Sequence, residues 1–185
     1  MIVVSGPSGA GKTSILAAVL SRTDARFSVS VTTRDRRHGE RDGVDYLFVT
    51  SDTFESMRVN GDILEWAEYG GNLYGTPGSQ VLLAIESGHD VVLDIENEGA
   101  KQIRTSFPEA ILIFISPPDL TSLADRLHSR GDTPDSDVRL RLAAAESQIV
   151  EAPILFDHIV LNDDLERAVT EVLDILRAAG TEVSV

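Results

Sequence analysis

Cysteine is absent from the 185-residue chain. Without thiols the protein has no disulfide framework, no cysteine nucleophile and no thiolate metal site. The absence fits a reducing compartment, where disulfides are rare. The length predicts one folded domain that is large enough to bury a substantial apolar core.

Long apolar runs are absent as well. The longest run, residues 110–115, is far shorter than the roughly 20 residues that cross a bilayer as a helix. The apolar residues after Met1 are not preceded by a basic stretch, which argues against a secretory signal peptide. We therefore expect a cytoplasmic protein without a membrane partner.

Positive charge is scarce. The net charge of −14 argues against nucleic acid as a partner, because binding to phosphate backbones needs a basic surface. Many of the basic residues nevertheless fall within a short stretch, namely Arg22, Arg26, Arg34, Arg36, Arg37 and Arg41. Clustered guanidinium groups suit a phosphate or carboxylate ligand, although a solvated basic loop has the same composition.

The strongest motif is the glycine-rich stretch Gly6–Thr13, which fits the pattern G-x-x-x-x-G-K-[ST] of phosphate-binding loops. Apolar residues typical of a buried strand precede it, and helical spacing follows it. Its glycines let backbone N–H groups turn toward an anion, and the helix N-terminus adds further donors. In such loops the position of Lys12 reaches the β- and γ-phosphates, and the hydroxyl at Thr13 binds Mg²⁺. The predicted ATP-binding residues here are Gly6, Pro7, Ser8, Gly9, Ala10, Gly11, Lys12, Thr13 and Ser14.

Apolar strands alternate with helical segments after residue 77, which predicts a parallel sheet covered by helices on both faces. The preceding stretch has alternating strand patterns around a Gly-Gly-Asn turn, which predicts a sheet-rich insertion. We expect an α/β fold with a core at about 1–30, 77–125 and 150–180 and an insertion at about 31–76.

Local patterns also predict individual elements. Phe27–Val31 alternates like one strand, and Val44–Val49 like another. A long helix is expected over about 137–151. The residues after Gly180 are expected to form a frayed tail.

Asp94 ends the apolar run 91–93. Nucleotides bind at the carboxyl ends of parallel strands in such folds, where a carboxylate can hold Mg²⁺ or its water shell. Alternatively, Asp94 begins a loop or caps the next helix. Glu96 and Glu98 follow closely, so the pattern leaves open which carboxylate acts.

Motifs from residue 2 to about residue 179 resemble those of guanylate kinases, in the same order and spacing. In the insertion they are Ser30-Val31-Thr32-Thr33-Arg34, Arg37-x-Gly-Glu40, Gly43-x-Asp-Tyr46-x-Phe, Ile63-Leu64-Glu65-Trp66 and Asn72-Leu73-Tyr74-Gly75-Thr76. Later in the chain they are Pro117-Pro118, Arg126-Leu127, Arg130-Gly131 and Asn162-Asp163-Asp164-Leu165. The resemblance implies a P-loop nucleoside monophosphate kinase with a parallel sheet core flanked by helices, a GMP-binding insertion and a short lid at about 126–149.

The resemblance implies Mg²⁺-dependent transfer of the γ-phosphoryl group of ATP to GMP, and to dGMP, in purine nucleotide metabolism and GMP recycling. Glu65 matches the carboxylate that accepts hydrogen bonds from guanine N1–H and from the exocyclic amino group. Adenine lacks this donor pair, so a buried carboxylate there discriminates steeply. Thr76 matches a donor to guanine O6. The implied GMP-binding residues are Ser30, Arg34, Arg37, Glu40, Tyr46, Glu65, Tyr74, Thr76, Asp94 and Glu96.

Further ATP contacts are implied outside the P loop. Arg126, Arg130 and Arg141 match lid arginines that close on the ATP phosphates, and Asn162 matches a position near the adenine. Taken alone, these arginines would suit surface salt bridges equally well. The implied catalytic residues are Lys12, Arg34, Arg37, Asp94, Arg126, Arg130 and Arg141, and the implied Mg²⁺ ligands are Thr13 and Asp94.

Two positions depart from the family pattern, because Arg36 replaces a proline and Glu96 replaces an aspartate. Two other functions also fit parts of the sequence. Non-catalytic guanylate-kinase-like interaction modules typically lack an intact phosphate loop and carry proline at the position of Ser30. A P-loop kinase for another acceptor would have no use for Glu65. The sequence is compatible with a monomer or a small homo-oligomer.

Overall fold

The computed structural model of the protein describes residues 1–128 and 135–183, with only the backbone at 135–137. The chain forms two compact units. The first unit comprises Met1–Val3 and Ala25–Ala110, and the second comprises Val4–Asp24 and the chain from Ile111 onward.

Strands and helices alternate along much of the described chain. The strands are β1 (Ile2–Ser5), β2 (Arg26–Phe27), β3 (Val31–Thr32), β4 (Leu47–Phe48), β5 (Ile63–Tyr69), β6 (Asn72–Pro77), β7 (Val91–Asp94), β8 (Ile111–Ser116) and β9 (His158–Leu161). The helices are α1 (Lys12–Leu20), α2 (Ser51–Asn60), α3 (Gly78–Glu86), α4 (Asn97–Ser106), α5 (Leu120–His128), α6 (Asp135–Leu155) and α7 (Leu165–Ala178).

A five-stranded sheet has the order β2-β7-β1-β8-β9. β2 runs parallel to β7, with Arg26 opposite Val91, and β9 runs parallel to β8, with His158 opposite Ile113. Every residue of β1 is buried, as are the inner residues of β8, as expected of parallel strands with both faces covered. The predicted α/β fold, a parallel sheet core flanked by helices, is confirmed.

Helix α7 covers part of the second unit through its apolar face. The face buries Ala168, Val169, Val172, Leu173 and Leu176. It packs against α1, so burial of this stripe, rather than helix propensity, holds the helix in place. The Asp164 side chain accepts a hydrogen bond from the backbone N–H of Arg167 and thereby caps the first turn.

A second, four-stranded sheet lies in the first unit, with the order β4-β3-β6-β5. β5 and β6 form an antiparallel hairpin around Gly70 and Gly71, and β6 also pairs antiparallel with β3. The hairpin register is irregular, because Ile63 lies opposite Pro77 whereas Trp66 lies opposite Gly75. The register shift lies between Ile63 and Trp66 and so includes residue 65, and a bulge of this kind changes the local direction of the strand.

The strand predicted over Phe27–Val31 is wrong. The N–H of Ser28 still bonds to the carbonyl of Val92, next to β7, whereas Val31 already pairs with Gly75 on β6. The chain therefore leaves one sheet and enters the other within a few residues. The alternation of polar and apolar residues does not reveal this change of partner strand, because the partner strands lie far away in the sequence.

The strand predicted over Val44–Val49 shrinks to β4. Two carboxylates bond to the backbone in and next to this segment: Asp45 accepts from the N–H of Arg41, and Asp42 from the N–H of Phe48. The N–H of Gly43 bonds to the carbonyl of Tyr46. Side-chain bonds of this kind compete with a strand ladder and favour a turn.

The predicted frayed tail is also wrong up to Val183. The N–H of Gly180, which has a positive φ of 94°, bonds to the carbonyl of Arg177, and the N–H of Thr181 bonds to the carbonyl of Leu176. These bonds end α7 and turn the chain back, so that Val183 pairs with Thr23. Helix α6 is longer than predicted and continues beyond residue 151 to Leu155. None of the helices in the described ranges is both long and apolar enough to cross a lipid bilayer.

Candidate functional site

The glycine-rich loop of the second unit runs from β1 into α1. Gly6, Gly9 and Gly11 have φ angles of 143°, 92° and 94°, which L side chains rarely adopt. A Cβ atom on Gly6 would overlap the carbonyl oxygen of Ile115, and one on Gly11 would overlap the side-chain amide of Asn162. These glycines are therefore required by backbone conformation and by close packing together.

The loop presents its donors at the start of α1. Gly11 precedes the helix without a side-chain capping bond, so the first helical N–H groups face a potential ligand rather than a capping side chain. The ammonium of Lys12 donates to the carbonyl of Gly6 at 2.5 Å. Thr13 and Ser14 follow with exposed side chains. This arrangement fits an anion with several oxygens.

Two predicted ATP residues contact this loop. Asn162 is buried, and its Nδ2 donates to the carbonyl of Ala10 at 2.6 Å. Arg126, on α5, donates to the carbonyl of Asn162 at 3.0 Å and to that of Ala10 at 3.4 Å. Asn162 thus supports the loop backbone, a role that the sequence motif does not indicate. Arg141 lies half-buried on α6, and Arg130 lies outside the described residues.

A cluster of predicted GMP-binding residues lies in the first unit. The guanidinium of Arg34 donates to both oxygens of Glu40, at 2.8 and 3.0 Å. Its Cζ atom lies 5.4 Å from the ring centroid of Tyr46, which meets the ring of Tyr74 edge-on at 5.9 Å. Glu40 also accepts from the backbone N–H of Arg37 at 2.7 Å. The structure therefore brings four predicted GMP residues together, Arg34, Glu40, Tyr46 and Tyr74.

The electrostatics of this cluster follow from its contacts. The hydrogen bond from Arg34 holds the pKa of Glu40 below its usual value, and the same bond raises the pKa of Arg34. Burial raises the pKa of Tyr46 to about 12, with a further contribution from the charge of Asp94. The Tyr46 phenol therefore stays protonated at neutral pH and is a hydrogen-bond donor.

Glu65 occupies the bulged part of β5, and only 3% of its surface is exposed. The hydroxyl of Thr76 donates to its Oε1 at 2.6 Å. Burial raises the pKa of Glu65 to about 7, opposed by the hydrogen bond from Thr76 and assisted by the nearby charge of Glu96. A buried carboxylate in this state can accept a pair of ligand N–H groups.

The other predicted GMP residues are placed mainly by backbone contacts. Ser30 is half-buried, and its carbonyl accepts from the N–H of Leu47. Arg37 has an exposed side chain, and Asp94 is half-buried at the end of β7. No sequence pattern indicates a role for Gln102, which contacts β5. Gly99 lies within a helical pattern. Glycine destabilises a helix relative to alanine, so its presence at this position indicates close packing.

Glu65 is expected to make the free energy of unfolding fall as pH rises. Its pKa of about 7 lies above the ordinary value of 4.5, so between these values the folded state binds more protons than the unfolded state. The contribution of Glu65 to the free energy of unfolding is fully present below the ordinary pKa of 4.5 and is lost as pH rises through about 7. The pKa shift corresponds to about 3 kcal/mol. The free energy of unfolding of Glu65→Gln should therefore rise by about that amount relative to that of the unmodified protein between about pH 4 and pH 8.

Urea denaturation of both proteins across this range measures the effect. Glu68→Gln is the matched control, because Glu68 lies on the same strand with an exposed side chain. Parallel stability profiles for the unmodified protein and Glu65→Gln would contradict the assignment.

The fold and the site together define a class. A phosphate-binding loop leads from a buried parallel strand into a helix, and the first unit adds a paired arginine and a buried carboxylate. This combination is that of a P-loop nucleoside monophosphate kinase, a transferase that binds nucleotides.

Comparison with known proteins specifies the family. The guanylate kinase family model matches residues 1–179. The guanylate kinase of Bacillus subtilis (strain 168) is 45% identical over 180 residues, covering 96% of this chain and 88% of that protein. The crystal structure of guanylate kinase from Anaplasma phagocytophilum matches with a TM-score of 0.81 at 31% identity, covering 97% of this chain and 85% of that one. The chain belongs to the guanylate kinase family, which confirms the resemblance predicted from its motifs.

Proposed function

We propose that the protein transfers the γ-phosphoryl group of ATP to GMP and releases ADP and GDP. The observation that carries this proposal is the buried Glu65, bonded to Thr76. A buried carboxylate recognises a purine edge that has two adjacent donors, and guanine has such an edge whereas adenine does not. The reaction would serve purine nucleotide metabolism and GMP recycling.

We propose that two groups of residues in the first unit bind GMP, one holding its phosphate and the other its base. Arg34, Arg37, Tyr46 and Tyr74 would hold the phosphate, since guanidinium and phenol groups donate to anionic oxygens. Glu65, Thr76 and Ser30 would hold the guanine, with Glu96 nearby, whereas Glu40 and Asp94 would lie beside the residues that hold the phosphate. Because these contacts recognise only the base and the phosphate, we propose dGMP as a second acceptor.

ATP is proposed to bind to the loop of the second unit. Its phosphates would lie against the N–H groups at the start of α1 and against Lys12. Arg126, Arg130 and Arg141 would add positive charge, and Asn162 would approach the adenine.

Mg²⁺ is the proposed cofactor, and the available donors fit it. The exposed hydroxyl of Thr13 and the carboxylate of Asp94 are oxygen ligands, which Mg²⁺ prefers together with substrate phosphates and water. The ion would neutralise charge on the transferred group. In the described ranges no group of three or more His, Cys, Asp or Glu residues is placed to hold a metal.

The proposed reaction needs no general base, because the acceptor phosphate is already an anionic nucleophile. The protein would hold the two nucleotides in position, so that their reaction no longer depends on a bimolecular encounter. It would also direct hydrogen-bond donors at the transferred group. Lys12 and the arginines supply those donors.

We propose that the insertion at 31–76 and the lid at 126–149 are separate parts, and that both close when both nucleotides bind. Water would otherwise compete with GMP for the phosphoryl group. Small-angle X-ray scattering should therefore show a smaller radius of gyration with GMP and a non-hydrolysable ATP analogue than without nucleotide. An unchanged radius would contradict closure.

The reaction is tested by coupled ADP release with ATP and Mg²⁺, offering GMP, dGMP, AMP, CMP and UMP separately. Activity with GMP and dGMP alone is expected. Equal or greater activity with another monophosphate would favour a kinase for that acceptor. GMP binding without transfer to any acceptor would favour a non-catalytic module.

A further inference from the structure

The side-chain amide of Gln102, on α4, bonds to the backbone of Trp66 in both directions. Its Oε1 accepts from the N–H of Trp66 at 3.1 Å, and its Nε2 donates to the carbonyl of Trp66 at 2.7 Å. The same Nε2 donates to the carbonyl of Glu98 at 3.2 Å. β5 is the edge strand of its sheet, so Gln102 supplies the bonds that a neighbouring strand would otherwise make.

Trp66 directly follows Glu65, at the end of the bulge in β5. Thr76 holds the Glu65 carboxylate through its hydroxyl, which donates to Oε1, and through its backbone. A bulge interrupts the strand ladder and changes the direction of a side chain. The two bonds from Gln102 hold the backbone at Trp66, next to Glu65 and at the end of the bulge.

Gly99, three residues before Gln102 on α4, lies directly against the other carboxylate oxygen. A Cβ atom on Gly99 would overlap Oε2 of Glu65. Residues three apart on a helix share a face, so this face of α4 contacts Glu65 through the space left at Gly99 and through the clamp at Gln102. The carboxylate could not keep its present position beside any other residue at 99.

We propose that Gln102 and Gly99 are positioning residues that set the place of the Glu65 carboxylate and thereby the selectivity for guanine. This proposal rests on the function proposed above. It assigns to α4 a role in discriminating the base, beyond joining a helix to a sheet. The selectivity concerned is for a purine with donors at both N1 and the 2-amino group, so inosine monophosphate, which lacks the amino group, is the informative competitor.

Gln102→Ala and Gln102→Glu test the clamp. Calorimetry without ATP should show GMP binding weakened about tenfold in Gln102→Ala, with inosine monophosphate binding changed less than about twofold, so that selectivity falls. Gln102→Glu keeps the acceptor but replaces the donor by a carboxylate oxygen that faces the carbonyls of Trp66 and Glu98, so we expect an effect at least as large as that of Gln102→Ala. In the coupled assay the KM for GMP should rise in Gln102→Ala, whereas kcat and the KM for ATP should stay unchanged.

Thr105→Ala is the matched control. Thr105 lies on α4 with an exposed side chain that donates to the carbonyl of Lys101. It should leave GMP binding and its selectivity unchanged. Equal effects of Thr105→Ala and Gln102→Ala would show that disturbing α4 in general is sufficient, and would overturn the proposal.

Gly99→Ala separates positioning from stability. Alanine is the better helix former, so α4 itself should not be weakened, whereas the added methyl group displaces the carboxylate. GMP binding should fall at least about tenfold. Wild-type affinity and selectivity in Gly99→Ala would overturn the role of Gly99.

The decisive measurement is a double-mutant cycle. If Gln102 acts through Glu65, then Gln102→Ala made in a Glu65→Gln background should change GMP binding by less than about twofold. The same tenfold loss in both backgrounds would overturn the proposal. GMP binding with the expected selectivity but no phosphoryl transfer would overturn only the proposed reaction, whereas a lack of GMP binding by the unmodified protein would overturn both.

Discussion

Lys12→Ala is expected to lower kcat about 1,000-fold, as removal of a preorganised donor to a reacting group does in other enzymes. In the structure the Lys12 ammonium lies against the carbonyl of Gly6, at the start of the glycine-rich loop. We expect it to move from that carbonyl to the phosphates when ATP binds. Its charge then offsets charge on the transferred group, and water cannot replace it at a defined position.

Lys101→Ala is a matched control for this variant. Lys101 is the other lysine of the chain, and its ammonium pairs with Glu98 on the surface of α4. Its removal should leave kcat unchanged. GMP binding should persist in Lys12→Ala, because the proposed GMP residues are all in the first unit. A kcat in Lys12→Ala within tenfold of the unmodified value would contradict the assignment.

Glu65→Gln is expected to lower kcat/KM for GMP about 1,000-fold, mainly through KM. A neutral amide in place of the carboxylate offers one acceptor and one donor group, and the donor faces a guanine donor. Stranding buried polar groups in this way accounts for steep discrimination in other enzymes. The relative preference for GMP over AMP should fall accordingly, and steady-state kinetics with both acceptors measure it.

Glu68→Gln again provides the control, because it removes the same charge from the same strand at an exposed position. Its kinetics with GMP should equal those of the unmodified protein. If Glu68→Gln rather than Glu65→Gln lost GMP selectivity, the base would be recognised on the other face of β5.

The phosphate-binding loop was predictable because its requirements are local. Gly6, Gly9 and Gly11 adopt positive φ within one short segment, and a strand and a helix adjoin it in the chain. Long apolar strands such as β8 were predictable for a similar reason, since burial on both faces leaves a continuous apolar run. The family motifs, which extend over most of the chain, added the arrangement of the insertion.

The contacts that distant segments make were not predictable. The exchange of sheets between β2 and β3 depends on β7 and β6, which come much later in the chain. Gln102 is an ordinary polar residue on a helix until its partner, the backbone of Trp66, is known. The roles of the site residues stay predictions, because these roles concern contacts with a nucleotide, which the geometry of the side chains alone does not show.

The pairing of Arg34 with Glu40 has a consequence for the release of product. Both side chains are largely shielded, at 12% and 19% exposure, and the carboxylate already occupies the two donors that a phosphate would use. A phosphate at Arg34 would therefore exchange one anion for another, and its net gain would be the difference between two charge-assisted interactions. If GMP and GDP bind at Arg34 as proposed, Glu40 would compete with their phosphates for the guanidinium and lower the affinity for both, so that GDP would leave the site more quickly.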